Sequence, residues 1–265
     1  MECKRSTAVV TGASRGIGRE FARQLAAGGH DLVLVGRDAA ALGELARQLS
    51  REDGTTVRCE AIDLSAPGAP EQLWSRLESA SIEVDILVNN AGSGFYGNVQ
   101  DQDPAALERM LQLNVVALAA LTRRALPGMI SRRRGHILNV GSLVGYQPGG
   151  PRMAAYYGSK AFVESFSRGL AAELEDSGVT VTALSPGPTE SAFEEISGAA
   201  RSNIYRYLPK ASPIRVARAG INGMNKGRAS VIPGVLTKLL VFAGRLSPRS
   251  IGVAVNRILL REAAH

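Results

Sequence analysis

The sequence predicts an α/β protein: an open, doubly wound, mostly parallel sheet of seven strands with helices on both of its faces. Short runs rich in Val, Ile and Leu alternate with longer segments of helical periodicity, a pattern typical of buried parallel strands joined by crossover helices. Hydrophobic residues make up 45% of the 265 residues, which is enough for a sizeable core. No Pro/Gly/Ser-rich linker and no internal repeat divides the first 185 residues, so we expect one domain over residues 1–265.

The predicted strands are short and rich in aliphatic residues. In chain order they cover 7–11 (TAVVT), 31–36 (DLVLVG), 56–61 (TVRCEA), 84–89 (VDILVN), 135–141 (GHILNVG), 178–184 (GVTVTAL) and 229–232 (ASVI). The segments between them have the 3.6-residue apolar period of helices, and the predicted helices cover 17–29, 39–53, 68–80, 104–131 and 155–177. Ligands of such a sheet bind at the carboxyl ends of the strands, so residues that directly follow a strand are candidates for a site.

The chain changes character after Ser185. It is irregular over about 188–228, which suits a segment that covers a substrate. A C-terminal extension, 233–265, then contains two apolar helical segments separated at Ser247-Pro248. One interpretation is that these helices pack on the core while their Lys and Arg side chains reach solvent. The alternatives are a peripheral membrane contact or an acidic acyl-carrier contact through 211–265.

The net charge of +7 originates in the last fifth of the chain. Residues 1–210 carry 22 basic and 23 acidic side chains, whereas residues 211–265 carry 9 basic side chains and one acid, Glu262. No zinc-finger spacing, RNA-binding aromatic run or basic zipper accompanies this charge, so we do not expect nucleic acid as a partner.

Cysteine content and the N-terminus bear on the cellular compartment. Two cysteines, Cys3 and Cys59, are too few for a disulfide framework or a thiolate metal site. The sequence has no cleavable signal and no run of ~20 consecutive apolar residues. We therefore expect a cytoplasmic protein that uses no metal, with peripheral membrane attachment as the alternative location.

A glycine cluster follows the first predicted strand, at the turn into the first helix, in the order Gly12-Ala13-Ser14-Arg15-Gly16-Ile17-Gly18. Gly12 permits a tight turn, Gly16 lets the backbone approach a pyrophosphate, and Gly18 lets helix and strand pack closely. The helix N-terminus adds N–H groups and the positive end of the helix dipole. The strand before the cluster and the helix and strand after it favour a nucleotide-binding loop over an ordinary turn.

The end of the second strand bears on which nucleotide is bound, and there the sequence has Gly36-Arg37-Asp38. A carboxylate would accept hydrogen bonds from a ribose 2′-hydroxyl, as in NAD, whereas a guanidinium would pair with the 2′-phosphate of NADP. Because Arg15 lies in the glycine loop and two cations suit a phosphate better than a diol, we expect NADP(H). Asp38 is then expected to cap the helix 39–53.

Tyr156 and Lys160 lie near the start of the helix 155–177, in the stretch YYGSK. Residues four apart share a helix face, so a phenol and an ammonium are placed side by side. The ammonium is expected to lower the pKa of the Tyr156 phenol toward working pH, which would make it a usable proton donor.

A series of motifs from about residue 5 to 190 resembles the short-chain dehydrogenase/reductase family. In order they are TGASRGIG at 11–18, Asn89-Asn90-Ala91-Gly92, Asn114 in LQLNVVAL, Gly141-Ser142, YYGSK at 156–160 and Pro186-Gly187. The resemblance implies a Rossmann-type fold and a nicotinamide-dependent oxidoreductase. It implies that Tyr156 is the acid/base and that Lys160 tunes it and holds the nicotinamide ribose. It also implies that Ser142 binds the substrate carbonyl and that Asn114 supports a proton-relay water.

The resemblance further implies cofactor contacts along the carboxyl edge of the sheet. The implied residues are Gly12, Ser14, Arg15, Gly16, Ile17, Gly18, Arg37, Asp63, Leu64, Asn90, Ala91, Gly92, Tyr156, Lys160, Pro186, Gly187 and Thr189. For two of them the residue type alone does not decide the role, because Asp63 could equally be a turn aspartate and Asn90 a purely structural amide. Asn114 is surrounded in sequence by apolar residues, so its amide must find hydrogen-bond partners if it is buried.

One interval departs from the family pattern. Ser142 and Tyr156 are 14 positions apart, one more than is usual in the family. The extra residue falls in Pro148-Gly149-Gly150-Pro151, which is flexible loop material, so we expect this loop to bulge outward and leave Ser142 in place.

Together these features predict an NADP(H)-dependent oxidoreductase, a homo-oligomer, that transfers a hydride between nicotinamide and a carbonyl or secondary alcohol. The residues expected around the substrate are mostly aromatic and aliphatic, which favours an apolar ketone, aldehyde or acyl substrate over a sugar. They are Ser93, Phe95, Tyr96, Tyr146, Gln147 and the segment 188–211, with Phe193, Ile196, Tyr205 and Tyr207. The alternative is a nucleotide-binding sensor or scaffold of the same fold without turnover. The joint presence of Asn114, Ser142, Tyr156 and Lys160 argues against it, because only chemistry needs all of them.

Overall fold

Seven parallel strands form one sheet, in the order β3-β2-β1-β4-β5-β6-β7, in the computed structural model, which describes residues 5–262. The strands are β1 (Thr7–Thr11), β2 (Asp31–Gly36), β3 (Val57–Ala61), β4 (Ile86–Asn89), β5 (Gly135–Val140), β6 (Val179–Leu184) and β7 (Ser230–Val231). Every neighbouring pair is parallel. The strand order changes direction between β1 and β4, which leaves a crevice outside their carboxyl ends. The predicted doubly wound class is confirmed.

Helices cover both faces of the sheet. They are α1 (Gly16–Ala27), α2 (Ala39–Asp53), α3 (Ala69–Ser79), α4 (Pro104–Leu111), α5 (Leu118–Ser131), α6 (Ala154–Glu173), α7 (Phe193–Ile196), α8 (Asn203–Tyr207), α9 (Pro213–Asn225), α10 (Val235–Leu246) and α11 (Arg249–Leu259). Between α4 and α5, residues Gln112–Ala117 form a π-helical turn, so the predicted helix 104–131 is one rod with a widened turn inside it. The predicted helical extension is α10 and α11, which flank Ser247-Pro248; its residues 263–265, like Cys3, lie outside the described residues.

The predicted helix 155–177 ends early, at Glu173. The chain turns there through Asp176 and Gly178, whose φ angles are +66° and +80°. A Cβ on Gly178 would lie 2.1 Å from the carbonyl oxygen of Arg133, so only glycine fits directly before β6. This backbone crossing, rather than any change in apolar period, ends the helix.

Two apolar clusters pack the helices against the two faces of the sheet, and a third cluster lies beyond its carboxyl edge. The first cluster packs α1, α2 and α9 on one face and contains Phe21 and Met224. The second packs α3, α5 and α6 on the other face and contains Leu77 and Leu121. The third combines residues of α4, α6, α8 and α10 with Leu260, which follows α11. The third cluster therefore depends on parts of the chain that are far apart in sequence.

One helical run within residues 5–262, Pro104–Ser131, is long and apolar enough to cross a membrane by length and composition. Leu121, Ala125 and Met129 of this run are buried in the cluster with α3 and α6. Asn114 is buried in its π-helical turn. A core helix passes the same test of length and composition; one face of this run packs in the core, and 33% of its most apolar window is buried.

Candidate active site

A cleft of about 510 Å³ runs along the carboxyl ends of β1, β4, β5 and β6. The glycine loop and the residues after β2 and β3 border one half, and residues of α4, α6, α7 and α8 border the other. All of the predicted catalytic and cofactor-binding residues except Asn114 line this cleft. Asn114 lies behind it, where its Oδ1 is next to Gly92.

The glycine loop has the backbone geometry that its sequence predicts. Gly12 and Gly16 have φ angles of +67° and +55°, in the left-handed region that favours glycine. A Cβ on Gly18 would lie 2.2 Å from the carbonyl oxygen of Gly12, so α1 packs on the loop with no room for a side chain. No side chain caps the first turn of α1, and its N–H groups are available to an anionic ligand.

Asn90 ties the glycine loop to the end of β4. Its Nδ2 donates to the carbonyl oxygen of Thr11 at 2.8 Å and to that of Gly12 at 3.3 Å. The hydroxyl oxygen of Thr11 accepts in turn from the backbone N–H groups of Asn90 and Ala91, each at 2.9 Å. The side-chain amide of Asn90 therefore shapes the loop that borders the cleft.

Arg37 and Asp38, at the end of β2, have different surroundings. The Asp38 carboxylate accepts a hydrogen bond from the backbone N–H of Ala41 at 3.0 Å and caps α2, which confirms that prediction. The Arg37 side chain is 71% exposed, with Nη1 3.9 Å from Oδ2 of Asp63. Arg15 is also exposed and lines the same half of the cleft. Two guanidinium groups thus border this half, while the nearest carboxylate in sequence is engaged in a cap.

Asp63 forms a turn after β3. Its Oδ1 accepts hydrogen bonds from the N–H and the hydroxyl of Ser65 at 3.0 and 2.7 Å. Burial opposes ionisation, but the hydrogen bonds from Ser65 and the nearby Arg37 outweigh it, so the pKa of Asp63 lies below its ordinary value. Arg109 on α4, which no sequence motif marks, lines the cleft and acts on Asp63 in the same sense. Asp63 is therefore a charged turn residue that also borders the cleft.

Tyr156 and Ser142 both line the cleft and are within hydrogen-bonding distance of each other. The Tyr156 phenol is buried, and burial raises its pKa to about 12, while a hydrogen bond with Ser142 acts in the opposite sense. Phe193 packs on the Tyr156 ring, with 5.2 Å between the ring centroids. The phenol therefore stays protonated through neutral pH.

Lys160 lies one helical turn after Tyr156, but its ammonium is directed at the backbone. Nζ donates to the carbonyl oxygen of Val140 at 2.8 Å and lies 5.9 Å from the centroid of the Tyr156 ring. Burial lowers the pKa of Lys160 to about 8, and the Glu164 carboxylate acts in the opposite sense. The expected lowering of the Tyr156 pKa by this ammonium is wrong for this structure, because burial of the phenol dominates and the ammonium is bound to Val140.

Glu164, one further turn along α6, is a buried carboxylate that no motif marks. It is 4% exposed and accepts a hydrogen bond from the Ser185 hydroxyl. Burial raises its pKa, although Nε of Arg168 lies 3.6 Å from its other oxygen. Its position four residues after Lys160 places it on the same helix face, and that spacing was the available sequence signal.

Asn114 links the loop after β4 to α6 from within the π-helical turn. Its Oδ1 accepts from the N–H of Ser93 at 2.9 Å, and its Nδ2 donates to the carbonyl oxygen of Ser93 at 2.8 Å. Nδ2 also lies 3.1 Å from the hydroxyl oxygen of Ser159, the residue before Lys160. The partners that a buried amide requires are thus present.

Apolar side chains line the half of the cleft beyond Tyr156. Of the residues predicted to surround the substrate, the cleft is lined by Ser93, Phe95, Phe193, Ile196 and Tyr205. Ile204, in the predicted segment 188–211, also lines it, and further lining residues that the sequence did not indicate are Met110, Val144, Met153, Tyr157 and Leu260. Leu260 lies after α11, so the extension contributes a wall of this half.

The other predicted substrate residues do not line the cleft. The hydroxyl of Tyr96 donates to the carbonyl oxygen of Leu260 at 2.6 Å, and Tyr96 is buried. Tyr146 hydrogen-bonds Ser230, and Gln147 donates to the backbone of α10. Tyr207 is 70% exposed. The prediction was wrong for these four residues, because the extension packs against Tyr96, Tyr146 and Gln147 and the side chain of Tyr207 faces solvent.

Gly94 provides the space in which Phe193 reaches Tyr156. A Cβ on Gly94 would lie 2.7 Å from Cζ of Phe193 and 3.3 Å from Cδ2 of Tyr156. Any side chain at this position would displace the ring that packs on the acid/base candidate.

The loop with the extra residue bulges less than expected. Pro148 is exposed, but Gly150 is buried, and a Cβ there would collide with Tyr157 and Leu260. Asn256 of α11 donates to the carbonyl oxygen of Gly149 at 2.7 Å. The loop therefore receives α11, and Ser142 keeps its place beside Tyr156.

The chain matches the family model of the short chain dehydrogenases over residues 6–201, about three quarters of its length. It belongs to that family. The expectation drawn from the motifs is confirmed, and with it the chain's membership in a family of oxidoreductases. The match ends before α8, so the covering segment and the extension lie largely outside it.

Relatives of this short-chain dehydrogenase include proteins with named substrates and cofactors. Over 197 residues it is 34% identical to a very-long-chain 3-oxoacyl-CoA reductase of Anas platyrhynchos, a match that covers 72% of this chain and 62% of that protein. It resembles a short-chain dehydrogenase from Sphingobium yanoikuyae in complex with NADPH, with 32% identity, a TM-score of 0.81 and coverage of 90% and 92% of the two chains. It also resembles the bulky-bulky ketone specific alcohol dehydrogenase from Comamonas testosteroni, with 30% identity, a TM-score of 0.76 and coverage of 88% of each chain.

The residues of this dehydrogenase fit a nicotinamide dinucleotide. The glycine loop forms a cradle that a Cβ would fill, and an uncapped helix N-terminus lies beside it. At the other end, Pro186 accepts a hydrogen bond from the N–H of Leu143 at 2.9 Å, which brings the loop after β6 to the cleft. Among residues 5–262 no group of three His, Cys, Asp or Glu is placed to hold a metal ion, and independence of metal stays a prediction.

Proposed function

We propose that this short-chain dehydrogenase uses NADP(H) to reduce a bulky, apolar carbonyl compound, a ketone, aldehyde or acyl-type substrate, to the alcohol. The observation that carries the proposal is the meeting of Tyr156 and Ser142 where the glycine-loop half of the cleft joins its apolar half. A proton donor and a second hydroxyl then face the same substrate oxygen, at the boundary between a cofactor site and a substrate site.

The preference for NADP(H) rests on the cations after β2. Arg15 and Arg37 border the half of the cleft where an adenosine ribose would lie, and Asp38 is engaged at the N-terminus of α2. A 2′-phosphate would gain charge-assisted hydrogen bonds from two guanidinium groups. The complex of the Sphingobium relative with NADPH supports the same choice.

The chemistry divides between the cofactor and the side chains. When bound, NADPH supplies the hydride for the carbonyl carbon. Tyr156 donates its proton to the carbonyl oxygen as negative charge develops there, and Ser142 donates a hydrogen bond to the same oxygen. Lys160, whose pKa of about 8 keeps it mostly protonated at neutral pH, places a positive charge near the phenolate that results.

In the reducing direction the Tyr156 phenol serves as the proton donor, and its raised pKa keeps it in that form. Reduction needs the phenol as a proton donor, and oxidation of an alcohol needs the phenolate as a base. Burial keeps Tyr156 protonated well above neutral pH, since its pKa is raised to about 12. The donor form is therefore the resting form.

The substrate class follows from the lining beyond Tyr156. Aromatic and aliphatic side chains of α6, α7 and α8, together with Leu260, suit a bulky apolar group and offer few partners to sugar hydroxyls. The relatives that act on very-long-chain 3-oxoacyl-CoA and on bulky ketones support this choice.

Oligomeric state and location remain predictions. Exposed apolar residues Val116 and Phe162, on the adjoining π-helical turn and α6, offer a face for a homo-oligomer. A cytoplasmic location is part of the same proposal.

Replacing Tyr156 tests the mechanism. Tyr156→Phe keeps the ring and its contact with Phe193 but removes the proton, so we expect kcat to fall by at least about 10²-fold while NADPH binding is kept. Oxidation of NADPH against a panel of carbonyl compounds measures kcat, and NADPH fluorescence measures cofactor binding. Tyr207→Phe, a matched change at an exposed tyrosine outside the cleft, should leave both unchanged. Near-normal turnover by Tyr156→Phe would refute the mechanism, and binding without turnover by the wild type on every compound would favour the sensor.

Replacing Arg37 tests the cofactor assignment. Arg37→Ala removes one charged partner of a 2′-phosphate, so we expect the Kd for NADPH to rise about 10- to 100-fold and that for NADH to change little. Arg51→Ala, at an exposed arginine in the last turn of α2, is the matched control. Equal losses for both nucleotides would show that Arg37 does not read the phosphate.

A further inference from the structure

Helix α10 has an apolar stripe that faces solvent. Val235, Leu239, Phe242 and Leu246 follow one another at intervals of three or four residues, so they lie on one face of the helix. Their exposed fractions are 75%, 59%, 62% and 70%. A helix whose outer face is this apolar is usually covered by something else.

Helix α11 repeats the arrangement. Ile251, Val255 and Ile258 share a face and are 53%, 47% and 60% exposed. The stripes of α10 and α11, here called the outer apolar stripes, are joined by only Ser247 and Pro248.

The outer apolar stripes are distinct from the faces that hold the two helices on the domain. On α10, Val241 is buried in the third cluster and Gly244 packs against Gln147. On α11, Gly252 packs against Pro148 and the buried Asn256 bonds Gly149. The helices are thus held in place by their inner faces, and packing of the domain does not explain the outer ones.

The charges near the stripes have one sign. Lys238 lies on α10, and Arg249 and Arg257 lie on α11, all exposed. The single acid after residue 210, Glu262, is 3.6 Å from Arg152 in an ion pair. The charges that this part of the chain itself contributes are therefore cationic, and its one carboxylate is engaged in an ion pair.

We propose that α10 and α11 dock the protein on the surface of an anionic lipid bilayer. The outer apolar stripes would enter the boundary between headgroups and acyl chains, and the flanking cations would lie among lipid phosphates. A second copy of this chain suits the face less well, because a two-fold contact would bring the same uncompensated cations together. An acidic carrier protein would satisfy the cations, but a bilayer satisfies the cations and both apolar stripes at once.

Docking would also place the cleft at the membrane. Leu260 directly follows α11 and lines the apolar half of the cleft, and Ile196, 60% exposed, lines it from α7. A substrate dissolved in the bilayer would then have a short path into the cleft. This consequence rests on the proposed substrate class, whereas the docking itself does not.

Vesicle flotation of the full chain tests the proposal. We expect the protein to float with vesicles of phosphatidylcholine and phosphatidylglycerol, to float much less with phosphatidylcholine alone, and to be released by high salt. The stripe variant Leu239→Ser/Phe242→Ser/Leu246→Ser and the charge variant Lys238→Glu/Arg257→Glu should each bind at least about tenfold more weakly.

Matched controls use the same substitutions elsewhere. Val99→Ser/Ile130→Ser/Ile214→Ser replaces three exposed apolar residues outside the extension, and Arg218→Glu/Lys226→Glu makes the same change of net charge on and after α9. Both control variants should float like the wild type. Circular dichroism and NADPH titration of every variant report the fold independently of turnover, so failure of the docking and failure of the proposed function are distinguished.

Several outcomes would overturn the proposal. One is a wild type that stays with the soluble fraction under all lipid conditions. Another is equal loss of flotation in the stripe variant and its control. If the wild type ignores vesicles but is a larger oligomer than the stripe variant, a second copy covers the face. If it binds an acyl carrier protein and no vesicles, the cations serve a protein partner.

Discussion

Burial of Lys160 places a charge out of water, and its energetic effect depends on pH. The folded-state pKa is lowered to about 8 from 10.5, so between these values the unfolded chain binds more protons and stability rises with pH. We expect Lys160→Met to raise the free energy of unfolding at pH 7 by about 1–3 kcal/mol, the relief of charge burial being partly offset by loss of the hydrogen bond to Val140. This gain should shrink as the pH approaches 10, and catalysis should be lost. Urea unfolding at pH 7 and pH 10 measures the gain in stability and its decrease with pH, and oxidation of NADPH measures the loss of catalysis.

Lys226→Met, at an exposed lysine, is the control for this prediction and should show no such pH-dependent gain. Destabilisation by Lys160→Met at pH 7 would mean that the bond from Nζ to Val140 contributes more than burial of the charge removes. The same measurement would then identify Lys160 as part of the stability of α6 rather than a residue held at the expense of stability.

At the residue scale, the sequence predicted the side chains whose chemistry is specific and missed those whose role depends on surroundings. Tyr156 and Ser142 were predicted from motifs, and they lie together in the cleft. The prediction that the pKa of Tyr156 is lowered was wrong. Spacing along a helix indicates that Tyr156 is near Lys160, but it indicates neither the burial of the phenol nor the hydrogen bond from Lys160 to the Val140 carbonyl. Glu164 was missed because a carboxylate four residues after a lysine is common on exposed helix faces.

At the element scale, the attachment of α11 depends on one buried amide. Asn256 is 3% exposed and donates to Gly149 in the loop that carries the extra residue. Asn256→Ala leaves the Gly149 carbonyl without this donor, so we expect α11 to loosen by about 1–3 kcal/mol. Leu260 would then hold its wall of the cleft less firmly, which should raise KM for a bulky carbonyl substrate and leave Kd for NADPH unchanged. Hydrogen exchange of α11 and steady-state kinetics check the two parts.

Asn203→Ala is a useful comparison, because Asn203 also donates to the extension, at the carbonyl oxygen of Ile258, but from an exposed position. We expect it to have a smaller effect on exchange than Asn256→Ala. Equal protection of α11 in Asn256→Ala and wild type would show that the apolar contacts of α11 suffice.

Strands and helices were predictable because their periods are imposed by burial on two sides of a sheet. The seven strands and the alternating helices follow from aliphatic runs and 3.6-residue periodicity. The π-helical turn at Gln112–Ala117 and the early end of α6 were not predictable, since the first needs the packing of Asn114 and the second the crossing of Gly178 over Arg133. Both depend on contacts between distant segments.

At the scale of the whole molecule, the substrate half of the cleft is assembled from segments that are far apart in the chain. The hydrogen bond from Tyr96 to Leu260 joins residues 164 positions apart. No local pattern indicates such a contact, and for that reason Tyr96, Tyr146 and Gln147 were predicted to face a substrate and not the extension. The cofactor half, in contrast, comes from short turns that directly follow strands and was readable from their motifs.

The dependence of the substrate half of the cleft on the extension, which the cofactor half does not share, predicts how a chain ending at Pro233 would behave. The apolar clusters on both faces of the sheet contain no residue after 232, whereas the third cluster loses Val241 and Leu260. We expect the shortened chain to fold with a Tm lower by several degrees, since each buried aliphatic side chain contributes about 1.5–3 kcal/mol. NADPH should bind within about twofold of the wild type, because the glycine loop and the cations are untouched. Turnover of a bulky carbonyl should fall at least about tenfold in kcat/KM, and that of a small one much less, since only the large group needs the Leu260 wall.

Leu260→Ala in the full chain should show the same selectivity with a smaller effect. Loss of NADPH binding on shortening would mean that the extension supports the sheet itself, and equal losses for both substrates would mean that it orders Tyr156 rather than the substrate wall.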